Sequence, residues 1–549
     1  MLYMSPGVYT REIDLSTIVP AISTTTSAAV GYSAKGSLDI TLVTNRQQFV
    51  QEYGEPTPGN WFHYTALAFL EHGTQLYCRR VENGALYGGM HVVKTGSGDN
   101  NSGFSVGQLT PAFYNDSNVS DELFSIVNKD PGAWGNNISC IIKNVKDGGE
   151  SEITEQYTFE IDVYYTDVEG TTSKVETFKV SRRLNKIDGY GKQMNLEEKI
   201  NRYSKYIKVA DNTGEAETLL PKENAVAVSF QGGSDGSTVT TSDIIGVEAA
   251  ETGWQGFRNT DNTDIRILIG GGYVSSFSDS EIATIQTAII AVAEARKDCI
   301  AVLDVPYSEL TTNTEILTYR NVTLNANSSY AAIYAGHVVM NDAYNDRILE
   351  VPPSGYAAAQ YAYNDAVGEV WMAPAGENRG RLNVLSISRV FNQGDRDALY
   401  AAGVNPMQVF RGGGNVIWGQ KTLQAKSSAL DRVNVRRLLI TMEKAMSISL
   451  RGYCFETNTD LTRFRVSGML TEYCDKLSSR GAFQTELGDN GYLVVCDEDN
   501  NQPAIIDDNQ MNVDVFVKPV RSAEAIQLTV IATRTGASFE ELMARGVLM

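Results

Sequence analysis

Ser354 comes closer to a reactive setting than any other residue of this chain. It lies in Pro352-Pro353-Ser354-Gly355, ahead of the alanine-rich run 356–362. With His337 and either Asp264 or Asp304 upstream, it offers the residue types of a serine-hydrolase triad: a hydroxyl nucleophile, an imidazole base and a carboxylate to orient it. Residue types become a triad only when they meet at hydrogen-bond distance. A serine after a proline turn, at the start of a helix, is also an ordinary N-cap. Neither the histidine nor the aspartates lie in a signature context, so the cap is the expectation and no catalytic residue is assigned. The triple glycine Gly270-Gly271-Gly272 is the second feature to weigh, because backbone N–H groups at a helix start bind anions. It fits neither the dinucleotide fingerprint nor the P-loop, and no lysine follows to meet a phosphate. A plain turn between strand and helix is expected.

Metal chemistry has little to work with. The cysteines are Cys78, Cys140, Cys299, Cys454, Cys474 and Cys496, none in a C-x-x-C pair and most within apolar runs. They read as small buried hydrophobes. His63 and His72 lie nine apart on a predicted helix, so they point to nearly opposite faces and do not share an ion. No cofactor and no metal site are expected. Charge narrows the partners further: 46 basic residues against 66 acidic ones leave a net charge of −20. That balance argues against direct nucleic-acid binding and predicts self-repulsion unless contacts between copies are locally complementary. No apolar run is long enough to span a membrane, so no membrane insertion is expected.

The elements that must position these residues fall into several domains, as 549 residues require. The chain opens on Pro6-Gly7 and then a β-rich run, Val8, Tyr9, Thr10, Arg11, Glu12 and Ile13, with no signal-peptide pattern. A small-residue strand over 25–32, a helix around 60–72 and a strand at 76–81 begin the core. From 85 to 230, turn-rich clusters separate alternating strands such as 156–165, which predicts an inserted β-rich domain with exposed loops. From about 260 strands alternate with helices: 264–269, a helix with Ile282, Ile285, Ile289 and Val292 on one face, then the apolar strands 299–305 and 330–335. That alternation predicts a parallel sheet. Near the C-terminus, 512–519 (Val513, Val515, Val517) and 525–533 (Ile526, Leu528, Val530) alternate as strands. Strands at both ends of a chain are free to pair with another copy's sheet edge.

One ordered set of motifs carries a family likeness. Glu350-Val351-Pro352-Pro353-Ser354-Gly355 precedes an alanine-rich helix, Tyr363-Asn364-Asp365, and the run from Gly368 through Trp371 to Gly376. Asn405-Pro406, the run Gly414 to Leu423 and Asn434-Val435-Arg436-Arg437-Leu438 follow. With the opening Ser5-Pro6-Gly7-Val8-Tyr9-Thr10-Arg11-Glu12, the set resembles the contractile phage tail sheath proteins over about residues 1–80 and 260–549. The 85–230 segment matches no pattern of that family.

The resemblance implies an α/β and α+β multidomain fold: an α/β sheath core with a subtilisin-like sheet lacking a catalytic site, terminal strand arms and the inserted domain. The expected divisions are an arm at 1–20, core at 21–84, insertion at 85–230, the α/β domain at 231–350, the rest of the core at 351–510 and a second arm at 511–549. It further implies a virion structural protein, assembled in the host cytoplasm. Copies would stack as hexameric rings around the inner tail tube protein, between baseplate and tail terminator, and contract to drive the tube through the host envelope. A phage-derived bacteriocin or injection device would use a similar subunit, and a serine hydrolase is the remaining alternative. Finally, a helix expected at 426–446 carries two stripes. Val435, Leu438, Leu439, Met442 and Met446 form the apolar one. Val433, Arg437, Ile440 and Lys444, with Lys426 near them, form a basic one expected to face the tube or a neighbouring subunit through charge complementarity.

Overall fold

The structure, a computed structural model, describes residues 19, 22–106, 121–150, 152–167 and 169–528. The strand expected over Val8–Ile13 and the position Val530 lie outside them. At the centre is a nine-stranded mixed sheet. Its strands are β1 (Ser27–Tyr32), β2 (Thr41–Val43), β3 (Leu76–Val81), β4 (Ile267–Ile269), β5 (Ile300–Asp304), β6 (Ala331–Ala335), β7 (Arg381–Leu382), β8 (Val404–Phe410) and β9 (Gly414–Ile417). They lie in the order β7-β9-β8-β6-β5-β4-β1-β3-β2. The six inner strands pair in parallel, while β2, β9 and β7 are antiparallel at the edges.

Helices cover both faces, which is why β4 and residues 300–303 of β5 are apolar on both sides. Successive side chains of a strand alternate between faces, so Leu268 joins Ala301 and Leu303 under helix α2 (Asp279–Arg296). Ile282, Ile285, Ile289 and Val292 are the residues it buries there. A capping box starts this helix: Ser278 Oγ accepts from the Glu281 N–H, and the Glu281 carboxylate accepts from the Ser278 N–H at 2.8 Å. On the other face Ile267, Ile269, Ile300 and Val302 meet helices α1 (Trp61–Phe69) and α3 (Ser354–Val367). The two helices cross tightly at Gly355, where a Cβ would sit 2.4 Å from the Thr65 carbonyl oxygen.

The segment 87–229 is β-rich, with two four-stranded antiparallel sheets. They enclose their own core, including Met90, Phe124, Ile138, Phe159 and Val180. The chain enters and leaves side by side, through bridges pairing Asn83 with Gly236 and Leu86 with Ser234. Buried Arg80 ties this neck to the central sheet by donating to the carbonyls of Ser33 (2.6 Å), Gly36 (3.1 Å) and Pro131 (2.7 Å).

C-terminal to the sheet, α4 (Val433–Leu450) and α5 (Asp460–Ser479) pack together, and a hairpin of β10 (Tyr492–Val495) and β11 (Asp514–Val517) lies on them. The helix expected from 426 begins only at Val433. Ala429–Asp431 form a 3-10 turn, and Arg432 is then held extended: the Val433 N–H donates to the Gln420 carbonyl and Lys421 bridges to Arg432. The strand expected from 525 is absent over 525–528, which pairs with no strand among the described residues. Among the described residues no helix is long and apolar enough to cross a membrane.

Candidate assembly surfaces

The triad residues are the first test of function. The parallel sheet brings Ser354 and Asp304 together, because β5 ends where α3 begins. The contact is through the backbone: the Ser354 N–H donates to Asp304 Oδ1 at 2.5 Å. Ser354 is the first residue of α3 and Pro353 its cap, so the expected N-cap role is corrected; the proline supplies no side-chain acceptor. Its hydroxyl is fully buried beside the Asp304 carboxyl and crowded by Gly271, where a Cβ would lie 2.5 Å from Oγ. His337 donates instead through Nε2 to the Val305 carbonyl at 3.2 Å. Asp264 sits elsewhere, paired with Arg266 at 2.8 Å. A serine with no path to solvent and no bond to His337 does not form the triad.

Gly270–Gly272 is a close-packing device. A Cβ on Gly272 would meet the Val30 carbonyl oxygen at 1.8 Å, so the glycines let the turn after β4 lie against β1. His63 is buried, hydrogen-bonded to Tyr53 and Asn60, and the His72 ring lies tilted 5.0 Å from that of Tyr363. Among the described residues no group of His, Cys, Asp or Glu could hold a metal ion.

The basic stripe on α4 is corrected outright. Val433 and Ile440 are buried in the core beneath the sheet. Arg437 makes a two-point ion pair with Asp365 on α3, at 2.5 and 3.0 Å, both side chains about 95% buried, and its guanidinium lies over the Tyr361 ring. Lys444 reaches Asp298 at 3.0 Å and Asp264 at 3.5 Å. Lys426 is exposed, but in the loop before the helix. The charges that looked like a docking face are internal ties. The opposite stripe (Leu438, Met442, Met446) packs on Val466, Leu470, Cys474 and Leu477 of α5. The helix is therefore a wedge between core and C-terminal region, covered on two sides.

What remains open lies further on. In the hairpin, Val513, Val515 and Val517 face the α4–α5 cluster. Leu493 and Phe516, directly opposite one another in the ladder, point outward and are 57% and 59% exposed. The sheet has only these two strands, so each keeps one edge without a neighbouring strand among the described residues. Beyond it, Glu524 anchors the departing chain to the core: Arg432 donates to both its oxygens (2.7 and 2.8 Å) and Gln420 to one (3.0 Å). Ile526 and Leu528 then stand 87% and 83% exposed. Phe455, Leu461, Phe464 and Leu487 extend the exposed apolar surface of this region. Alternation marked 512–519 as a strand. It did not separate the face bearing Phe516 from the one bearing Val515, because both are apolar.

The sequence around this hairpin has known relatives. Residues 245–423 match the phage tail sheath protein central domain, and residues 425–533 the phage tail sheath C-terminal domain. The chain belongs to the contractile phage tail sheath family. It is 33% identical over 323 residues to the tail sheath protein of Enterobacteria phage T4, covering 56% of this chain and 47% of that one. To the tail sheath protein of Vibrio phage KVP40 it is 31% identical over 341 residues, covering 59% and 49%. The chain spans about half the length of the curated relatives it matches. Among solved structures, a sheath tail protein from Listeria innocua superposes with TM-score 0.55 at 12% identity, over 87% of this chain and 90% of that one. The helical sheath of the anti-feeding prophage in its contracted state superposes with TM-score 0.52 at 16% identity, over 97% and 100%. At such identities these two likenesses speak for the fold.

Proposed function

We propose that the chain is the structural subunit of a contractile sheath in a phage tail. Copies stack as hexameric rings around an inner tube, are held extended in a metastable lattice, and contract to push the tube through the host envelope for genome ejection. The single observation that carries this reading is the C-terminal hairpin, with two unpaired edges and the Leu493–Phe516 pair facing outward. Main-chain ladders added at such edges hold neighbours together through rigid-body motion, while the terminal segments absorb the change. The strand over Val8–Ile13 and the segment 525–533, from Ile526 and Leu528 to Val530, are the lent strands; Val513, Val515 and Val517 hold the receiving hairpin to its own subunit. Baseplate, tail terminator and inner tube proteins are the partners, the virion tail is the location, and the segment 85–230 faces outward. The core sheet, parallel with helices on both faces, is in keeping with a subtilisin-like ancestry that has kept no chemistry. The sealed Ser354 hydroxyl supports that.

Electron microscopy of the purified chain tests this: hollow or striated tubes are expected. A chain lacking residues 1–14 should fold but form no connected sheath, and normal contraction by it would refute the strand-lending reading. A fluorophosphonate probe should leave Ser354 unlabelled. The likeness to the helical sheath of the anti-feeding prophage supports a second reading, a subunit of a phage-derived bacteriocin or injection device. Native particles carrying a DNA-filled head would decide for the phage tail.

A further inference from the structure

Outside the carboxyl ends of β4, β5 and β6 lies a cavity of about 630 Å³. This is where open α/β sheets place ligands, near the point at which strand order reverses between β1 and β4, and the volume is that of an ordinary small-molecule site. Nothing in the sheath reading uses it. Its walls come from the segment after β4 (Tyr273, Ser275, Phe277), the start of α2 (Ser278, Asp279), the turn after β5 (Pro306, Tyr307, Ser308), His337 after β6, and Trp61 and Glu350.

Three features set its chemistry. The wall is aromatic, with Trp61, Tyr273, Phe277 and Tyr307 around one space. Its charged groups are Asp279 and Glu350, with no lysine or arginine among the lining residues. Its buried polar atoms include two without partners: His337 Nδ1 and the Tyr273 hydroxyl. His337 and Tyr273 are themselves 98% and 97% buried, so these are costly atoms to leave unpaired. Because His337 Nε2 donates to the Val305 carbonyl, Nδ1 of this cavity-lining ring is left as an acceptor. Burial holds this imidazole neutral, its pKa lowered to about 4. The positive end of α2 does not reverse the balance. Its capping box already occupies two N–H donors, and Asp279 and Glu281 stand in its first turn. Asp279 also accepts from the Ser308 hydroxyl. The Tyr307 phenol is held above its ordinary range by Glu350, first through hydrogen bonding and then through charge.

Acceptors, carboxylates and aromatic faces without a cationic side chain describe a receptor for a donor-bearing organic cation. We propose that this cavity binds a primary-ammonium or guanidinium group on an aliphatic stem, its N–H groups meeting His337 Nδ1, Glu350 and Asp279 and its stem lying among the rings. Such a group comes either from a free diamine or from a lysine or arginine side chain of a second copy of this chain.

Titration calorimetry on the full chain tests it, with 1,5-diaminopentane and arginine amide as probes and 1,5-pentanediol and glutarate as neutral and anionic counterparts. Saturable binding of at least one cation, and of neither counterpart, is expected. Glu350→Gln and Tyr307→Ala should each weaken it by about tenfold or more. Tyr307 is 60% exposed, so its truncation spares the core, and unchanged melting curves establish that both variants are folded. No saturable binding of either cation, equal binding of the diol or glutarate, or unaltered affinity in both folded variants overturns the proposal. The source is read from assembled sheaths. A site that binds diamine in the free subunit but not in the sheath is filled by a neighbour's side chain, and one that binds in both takes a free amine.

Discussion

In the nine-stranded sheet, Ile267, Leu268 and Ile269 are all fully buried, one face closed by α1 and α3 and the other by α2. In the C-terminal hairpin only alternate residues are covered: Val515 and Val517 pack inward, while Leu493 and Phe516 face solvent. Both regions are apolar strands of similar composition, and one chain treats them oppositely. The sheet ends in short antiparallel strands, three residues in β2 and two in β7, which leave little edge for another chain to pair with. Among the described residues the hairpin leaves two edges open, which in a lone protein invites aggregation and, in the assembly proposed above, would supply a joint. The helix α4 lies at the seam, with one face in each region, and its buried cations fasten the open part to the closed one.

The strongest way to break this contrast is to cut the seam. Arg437→Ala leaves the Asp365 carboxylate buried and unpaired, and should cost about 3–5 kcal/mol in urea unfolding. A loss below about 1 kcal/mol would mean that α4 is not pinned by this pair. The double change Arg437→Met with Asp365→Leu should recover most of the loss, because both charges then leave together. Charge reversal at Arg437 and Lys444 should likewise unfold the subunit before it disturbs any docking.

Next comes the closed core. Burial pushes the Asp304 carboxyl up to about 7, so its native form holds a proton that the unfolded chain releases near pH 4. A raised pKa gives stability that is full below the unfolded value and is lost as pH rises through about 7. Asp304→Asn should remove that loss and be more stable than the parent at pH 8, by on the order of a few kcal/mol. His63 and His337, lowered by burial to about 4, act in the other direction. Their contribution is present above about pH 6.5 and fades as pH falls through about 4, so the informative quantity is the variant-minus-parent difference across pH 4–8. No difference at pH 8 would place Asp304 in a wetter site than its contacts indicate.

Smaller effects are expected in the open region. Glu524→Gln weakens a partly exposed pair with Arg432 and should cost about 0.5–1 kcal/mol or less in thermal unfolding, while speeding proteolysis beyond residue 524. The pair Leu493→Thr with Phe516→Ser should change subunit stability by less than about 0.5 kcal/mol, because neither side chain is covered. The same pair should nevertheless lower the yield of tubes in micrographs. Full tube formation by that variant would show that the outward face is not a joint.

Much of the core was legible in residue patterns. The spacing of Ile282, Ile285, Ile289 and Val292 marked the covered face of α2, and the unbroken apolar run 299–305 marked a strand buried on both sides. The stripe on α4 was legible as a pattern and misleading as a surface. Val433, Arg437, Ile440 and Lys444 share a helix face, but the partners that bury it, Asp365 and Asp298, lie 72 and 146 residues away. A cation at helical spacing looks the same whether it meets water, a neighbour or its own core. The helix start was missed for a related reason, since the pairing of Lys421 with Arg432 competes with helix in a way local propensity does not register.

By itself the sequence determined the local chemistry: which runs form strands and helices, that Gly270–Gly272 makes a turn rather than a phosphate cradle, and which ordered motifs carry the family likeness. These follow from periodicity, capping and turn preferences, all interactions within a few residues. Only the tertiary structure decided what each surface meets. It sealed Ser354 beneath Gly271, turned the cations of α4 inward, left Leu493 and Phe516 outside, and gathered Tyr273, Tyr307, His337 and Glu350 around one cavity. Burial and pairing between distant residues depend on how layers stack, and that is set by the whole chain at once.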